Sequence, residues 1–182
     1  VSIYIFVLEI LEKTDDKNVH VTLLDYEEDY FDLNKVLSES SIANFNLIRT
    51  SGDLNKIQDI QEAMNSQPSR DRIVMVIDPH VKLPLDIMDQ TRKHCVDDYM
   101  SFSPLAFHLN EGYSPAEPEG WWDYRGLKVL AMFSNDWDKC SSNAGTEQSD
   151  EDLENQIQSR IDLVRIKMDD LYYLTEIPYT KT

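Results

Sequence analysis

Cysteine is scarce: Cys95 and Cys140 are the only two in 182 residues. There is no paired Cys-x-x-Cys, so a zinc-finger framework finds no support. A single disulfide stays open, and two cysteines do not decide the redox compartment. Basic side chains are also few, with 17 Lys and Arg against 34 Asp and Glu, for a net charge of −17. That balance argues against a nucleic-acid backbone as partner, because phosphate binding needs clustered Lys and Arg to displace counterions. It suits a solvated acidic surface, a basic partner or a bound cation. No apolar run is long enough to span a membrane, so no membrane contact by this segment is expected. The opening Ile3-Tyr4-Ile5-Phe6-Val7-Leu8 is broken by Glu9 and Glu12. It lacks the basic start and small-residue cleavage site of a signal peptide and reads as a buried helix. His-Glu-x-x-His, P-loop and Gly-x-Ser-x-Gly patterns are all missing, which removes zinc-protease, NTPase and nucleophile-elbow chemistry. The chain does not begin with Met. It is therefore expected to be a piece of a longer precursor, with any targeting signal or anchor upstream.

What is present reads as one soluble domain with a core, 41% hydrophobic and 28% charged. The patterning predicts a helix over 2–13, a strand over 19–25, a helix over 33–38 capped by Asp32, and a strand over 45–49. Ser51-Gly52-Asp53 opens a helix with Leu54, Ile57, Ile60 and Met64 at helical spacing. Arg72 to Ile77 is the strongest strand, an apolar run expected to be buried on both faces. A helix over 85–93 follows, with Pro84 in its first turn. Residues 100–109 read as extended, 111–119 as a Pro/Gly loop, and 127–133 as a strand. Residues 136–149 read as a polar loop, 149–161 as a helix capped by Ser149, and 163–168 as a last strand. Strands alternating with helices predict an α/β layered sheet.

The order of residues from Asp71 onward is distinctive. Ile77-Asp78-Pro79-His80 is followed by Leu83-Pro84, then Arg92-Lys93-His94-Cys95-Val96 and Phe102-Ser103-Pro104. Gly112, Pro118, Gly120-Trp121-Trp122 and Asn135-Asp136-Trp137-Asp138 come next. This order resembles the animal β1,4-N-acetylgalactosaminyltransferases, and more distantly the chondroitin GalNAc-transferases and β1,4-galactosyltransferases. The stretch from Val19 to Leu37, with Asp25 after its strand, resembles the same family. The resemblance implies a GT-A fold: a nucleotide-sugar-binding α/β sheet flanked by helices. It makes residues 1–182 a single domain that lacks its first strand. An Asp-x-His triplet after a buried strand then implies Asp78 and His80 as holders of a divalent cation, Mn²⁺, against the UDP diphosphate. A hard cation there neutralises leaving-group charge. Read alone, Asp78-Pro79 is an ordinary strand terminator.

The family's Trp-Gly-Gly-Glu-Asp block, whose carboxylates position and deprotonate the acceptor hydroxyl, corresponds to Gln148-Ser149-Asp150-Glu151-Asp152. Glu151 and Asp152 persist, while the Trp and both glycines are gone. The same residues also fit a helix cap, with acids favoured at a helix N-terminus. The donor-side Arg appears as Lys56, which cannot reproduce a bidentate guanidinium contact. Asp25 and Asp78 complete the implied donor set. A glycine pair is replaced by Cys140-Ser141-Ser142-Asn143, and no His follows His108 where the family has a histidine-rich end.

Trp121 and Trp122 could stack on a sugar ring, which implies them as acceptor-binding, or could anchor the loop to the core. Cys95, within the Arg92-to-Val96 pattern, reads as structural. Losses in the donor, metal and acceptor regions together imply a glycosyltransferase-like domain with impaired catalysis, serving binding or structure beside other domains of the same protein. The alternative is an active transferase moving GalNAc from UDP-GalNAc to a GlcNAc-type glycan acceptor, with Asp152 as base. A third is an acidic cation-buffering module. The resemblance places the protein in the Golgi lumen or outside the cell.

Overall fold

The computed structural model describes residues 18–25, 38, 44–49, 56–65, 71–141 and 149–174. The helices expected over 2–13 and 33–38 lie outside the described residues, apart from Ser38. So do Ser142 to Gln148 and the tail from Thr175.

Strand β1, Val21–Asp25, pairs in parallel with β2, Phe45–Arg49. Helix α1 spans Lys56–Asn65 and buries Ile60 and Met64, two of the positions whose spacing predicted it. Strand β3, Ile73–Ile77, leads through Asp78-Pro79-His80 into the short β4, Val81–Lys82. Helix α2 covers Ile87–His94. It starts two residues later than the periodicity suggested, leaving Leu85 exposed. Strands β5 (Met100–Phe102), β6 (Leu105–Leu109), β7 (Gly120–Trp122) and β8 (Val129–Phe133) follow. Then come α3 (Ser134–Ser141), α4 (Asp150–Gln158), β9 (Asp162–Val164) and β10 (Lys167–Tyr173).

One sheet has the order β3-β8-β5-β9 and a second the order β4-β10-β6-β7. Alternating side chains of the first sheet feed two cores. Val129 and Ala131 of β8, with Ile73, Met75 and Ile77 of β3, face the second sheet and α2, where Val81, Ile87, Ala106 and Leu171 are buried. Leu130 and Met132, with Val74 and Val76, face α1, α3 and α4 through Ile60, Trp137, Leu153 and Ile157. The expectation that Arg72 to Ile77 is buried on both faces is met in part: both faces of β3 pack against a core, and each of its side chains stays half-buried. The α/β layering expected from the sequence is the architecture observed.

Three expectations need correction. The polar stretch after Asn135 is helical rather than loop as far as Ser141, because Trp137 and Cys140, three residues apart, are buried together with Ser134 and Asp136 while Asp138 and Lys139 face out. The single extended run 100–109 is two strands. Pro104 has no N–H to give, and the chain passes from one sheet to the other there. The last strand is likewise two, β9 and β10, broken at Arg165-Ile166. The cysteines are both free and buried, one in each core, so they do not pair. Burial pushes the Cys95 thiol up to about 12, against a backbone hydrogen bond from Phe102, and this is a packed group rather than a nucleophile.

Trp137 is 1% exposed and the largest side chain of its core. Trp137→Ala should cost about 3–5 kcal/mol of stability in chemical denaturation, and Trp137→Phe clearly less. A loss below about 1 kcal/mol for the alanine variant would mean that the α3 stripe does not anchor the helix.

Candidate functional site

The carboxyl end of β3 delivers Asp78 to a turn. Its N–H donates to the carbonyl of Lys128 at 2.8 Å. The His80 N–H donates to Asp78 Oδ1 at 3.0 Å, and His80 Nδ1 lies 3.1 Å from the same oxygen. Asp78 Oδ2 faces the ammonium of Lys128 at 3.6 Å. One carboxylate oxygen thus stabilises the turn and the other holds a cation.

The second sheet supplies the facing wall. Its register aligns Val81, Tyr173, His108 and Trp121 in one cross-strand row, and Lys82, Tyr172, Phe107 and Trp122 in the next. Adjacent rows of a pleated sheet project to opposite faces. The first row meets Asp78: His108 stacks on Tyr173 at 4.3 Å and meets Trp121 at 5.0 Å, while His80 lies 5.7 Å from Tyr173. Lys128 Nζ sits 4.6 Å over the Tyr173 ring, a cation–π contact. Trp121 remains 53% exposed, so its indole face is open to a ligand.

His108 Nε2 is 3.2 Å from Asp123 Oδ2, within ion-pair distance. Burial lowers the His108 pKa and Lys128 adds to this, outweighing the pull of Asp123. Burial alone would discourage ionisation of Asp123. The N–H groups of Gly126 and Arg125, then the charges of His108 and Lys128, hold its carboxyl below the usual range. Burial, with the charge of Asp78, raises the Tyr173 hydroxyl.

Gly120 is what lets β7 approach β6. A β-carbon there would run into the His108 carbonyl, so only glycine keeps Trp121 in register with His108.

No family model matches the chain. A mouse protein, N-acetyl-beta-glucosaminyl-glycoprotein 4-beta-N-acetylgalactosaminyltransferase 1, is 24% identical over 167 residues. The alignment covers 88% of this chain and 16% of the mouse protein. The resemblance to the β1,4-N-acetylgalactosaminyltransferases thus holds along the sequence. Two solved structures share the fold. HddC from Yersinia pseudotuberculosis superposes with a TM-score of 0.58 at 11% identity, covering 92% of this chain and 77% of that one. A Bacillus anthracis protein assigned as a glucose-1-phosphate thymidylyltransferase, solved with a sucrose, gives 0.58 at 11%, covering 91% and 74%. At that identity these likenesses show the fold alone. The chain is glycosyltransferase-like in sequence and α/β in fold.

The other residues implied by the resemblance lie at varied places around this centre. Trp122 projects to the opposite sheet face, edge-on to Phe107, beside a hollow of about 340 Å³ that also touches Met168 and Tyr172. Lys167 covers the Trp122 ring. Asp25, at the end of β1, is buried and paired with Arg49 at 3.5 Å. Lys56 starts α1, and its side chain lies outside the described residues. Glu151 and Asp152 are exposed in the first turn of α4. Asp152 Oδ2 accepts from the Ser149 N–H at 3.2 Å and from its hydroxyl at 2.7 Å, while the Asp152 N–H donates to Ser149 Oγ. This is the expected capping box. The same turn touches the site's loop, because Leu127 N–H donates to Asp150 Oδ2 at 3.2 Å.

Asp78 and His80 offer two donors in mutual reach, but no third acid, His or Cys completes a cluster with them among the described residues. The Lys128 ammonium stands against the carboxylate oxygen that a cation would need. These residues do not make a ready seat for a divalent ion. Asp97, Asp98 and Asp136 do converge, each placing an oxygen within 4.8 Å of the others. Lys139 bonds Asp98 there and lies 3.4 Å from Asp136. No helix of the described residues is long and apolar enough to cross a membrane.

Two outcomes test this geometry. Gly120→Ala should part β7 from β6, costing about 1–3 kcal/mol in thermal or chemical denaturation; an unchanged stability would show that the close approach is not required. The folded-state pKa of His108 lies below its ordinary 6.5, so the native state holds fewer protons than the unfolded one. The stability from neutral His108 is intact above 6.5 and is lost as the pH falls below it. The pH dependence of unfolding should flatten in this range in His108→Gln, and a His108 resonance titrating above 6.5 would contradict the assignment.

Proposed function

We propose that the chain is a glycosyltransferase-like domain of the β1,4-N-acetylgalactosaminyltransferase type, catalytically impaired and used for binding or structure. The observation that carries the reading is the row of Tyr173, His108 and exposed Trp121 beside Asp78 and His80. An open indole flanked by imidazole, carboxylate and ammonium groups can hold a pyranose: its C–H face lies on Trp121, and its hydroxyls reach Asp123 and Lys128. Impairment is supported by the state of the residues implied for chemistry. Asp152 is engaged as a helix cap, Lys128 neutralises Asp78, and the metal-holding pair has no third donor among the described residues.

The ligand class is a sugar-nucleotide such as UDP-GalNAc, or the GlcNAc-ended glycan that would accept from it. In this reading the domain works beside other domains of the same protein, in the Golgi lumen or outside the cell. The alternative, an active inverting transferase, draws on the juxtaposition of Asp78 and His80 and on α4 touching the site loop. In it Asp152 would take the acceptor proton, and Asp25 and Lys56 would line the donor side. When bound, a cation would neutralise the leaving diphosphate.

Thermal unfolding with UDP-GalNAc, and separately with a GlcNAc-ended oligosaccharide, tests both readings. A ligand at a hundredfold its Kd stabilises by about 2.7 kcal/mol. The expected result is stabilisation by at least one of the two, reduced tenfold or more in affinity by Trp121→Ala, with no turnover. Turnover that vanishes in Asp152→Asn would establish the active alternative. No shift with either ligand at millimolar concentration would overturn the binding reading.

A further inference from the structure

We infer that Lys128 is a built-in counter-ion that occupies the place of the divalent cation, so that Asp78 is neutralised without metal. The inference rests on reading Asp78 and His80 as the metal-holding pair. Its readout is manganese binding rather than sugar or nucleotide, so the two readings fail separately.

Three observations converge. The ammonium lies 3.6 Å from Asp78 Oδ2, and the other oxygen of that carboxylate already accepts the His80 N–H at 3.0 Å. The two residues are also tied through the backbone, with Asp78 N–H donating to the Lys128 carbonyl at 2.8 Å. The charge cannot easily swing away: the Lys128 side chain is 22% exposed and its ammonium rests on the Tyr173 ring. A dication approaching Asp78 would meet a fixed like charge within contact distance, in a partly desolvated recess where that repulsion is poorly screened. Displacing the ammonium instead would strip Lys128 of its acidic partner while half-buried. Lys139 repeats the arrangement at Asp98 and Asp136, where it also stands among converging carboxylates.

The test is Mn²⁺ titration followed by electron paramagnetic resonance, in which free Mn²⁺ gives the signal and bound Mn²⁺ loses it. The chain has many acidic groups, so the informative quantity is binding that depends on Asp78. In the wild-type protein, Asp78→Asn should leave the isotherm unchanged, with or without saturating UDP. Lys128→Gln should create a site at least tenfold tighter than the background, and Lys128→Gln/Asp78→Asn should abolish it. Lys128→Met keeps the aliphatic stem on Tyr173 and provides a second route to the same gain, with circular dichroism melting reporting that each variant is folded. An Asp78-dependent Mn²⁺ site in the wild-type protein, with UDP or without it, would overturn the inference. So would the lack of any gain in folded Lys128→Gln and Lys128→Met.

Discussion

Two extended segments travel side by side through both four-stranded sheets, and the site depends on their pairing. Residues 100–109 run parallel to residues 162–173, first as β5 against β9 and then as β6 against β10. At the point where the segments leave the first sheet for the second, Ser103 N–H donates to the Val164 carbonyl and Leu105 N–H to the Ile166 carbonyl. Pro104, lying between them, has nothing to donate, and Arg165-Ile166 break step opposite it. The pairing thus passes from one sheet to the other at a residue that cannot donate, and β10 then bulges between Lys167 and Tyr172 before meeting Phe107 and His108. Because the ribbon belongs to both sheets, it fixes the wall of Tyr173 and His108 relative to the strand ends that carry Asp78 and Lys128.

Strand β8 holds the other side. It pairs with both β3 and β5 and is buried on both faces, with Val129 and Ala131 facing one core and Leu130 and Met132 the other. Burying Val129, Leu130 and Met132 contributes about 1.5–3 kcal/mol each relative to exposure. Lys128 immediately precedes this strand. Its polar head therefore emerges at the edge of the best-packed part of the molecule, where its stem has little freedom and its charge has a fixed address.

Electrostatics then determine what the site can take. In a chain with twice as many acids as bases, Asp78 has Lys128 beside it, and Asp98 and Asp136 have Lys139. At Asp78 the lysine also stacks on an aromatic ring, which links charge neutralisation to the sugar-sized aromatic row. The result is a recess close to internal charge balance, suited to a polar, neutral ring. Asp152, by contrast, is engaged locally by Ser149. That function needs nothing from the rest of the fold.

Much of this was written in the sequence. The continuous apolar run after Arg72, the helical spacing of Ile60 and Met64, and the Ser149 cap are local patterns whose periodicity or hydrogen bonding is complete within a few residues. They formed where expected. The order of short motifs carried the resemblance, and Asp78 and His80 were legible as a pair because they are two residues apart. Helix α3 was not legible, because only Trp137 and Cys140 interrupt a polar surface and two apolar positions make no periodic signal. His108 looked isolated along the chain, and Lys128, Asp123 and Tyr173 carried no motif. Their meeting depends on a sheet register set by Gly120 and by the ribbon, between residues as much as 65 positions apart (His108 and Tyr173). Adjacent Trp121 and Trp122 read as one aromatic pair in sequence, yet the pleat sends them to opposite faces. The sequence by itself determined the elements whose pattern is local, such as β3, α1 and the capped α4, and which family the chain resembles. Only the tertiary structure decided which side chains share a site and which ammonium stands beside Asp78, because pairing between distant strands, unlike local periodicity, is fixed by the packing of the whole domain.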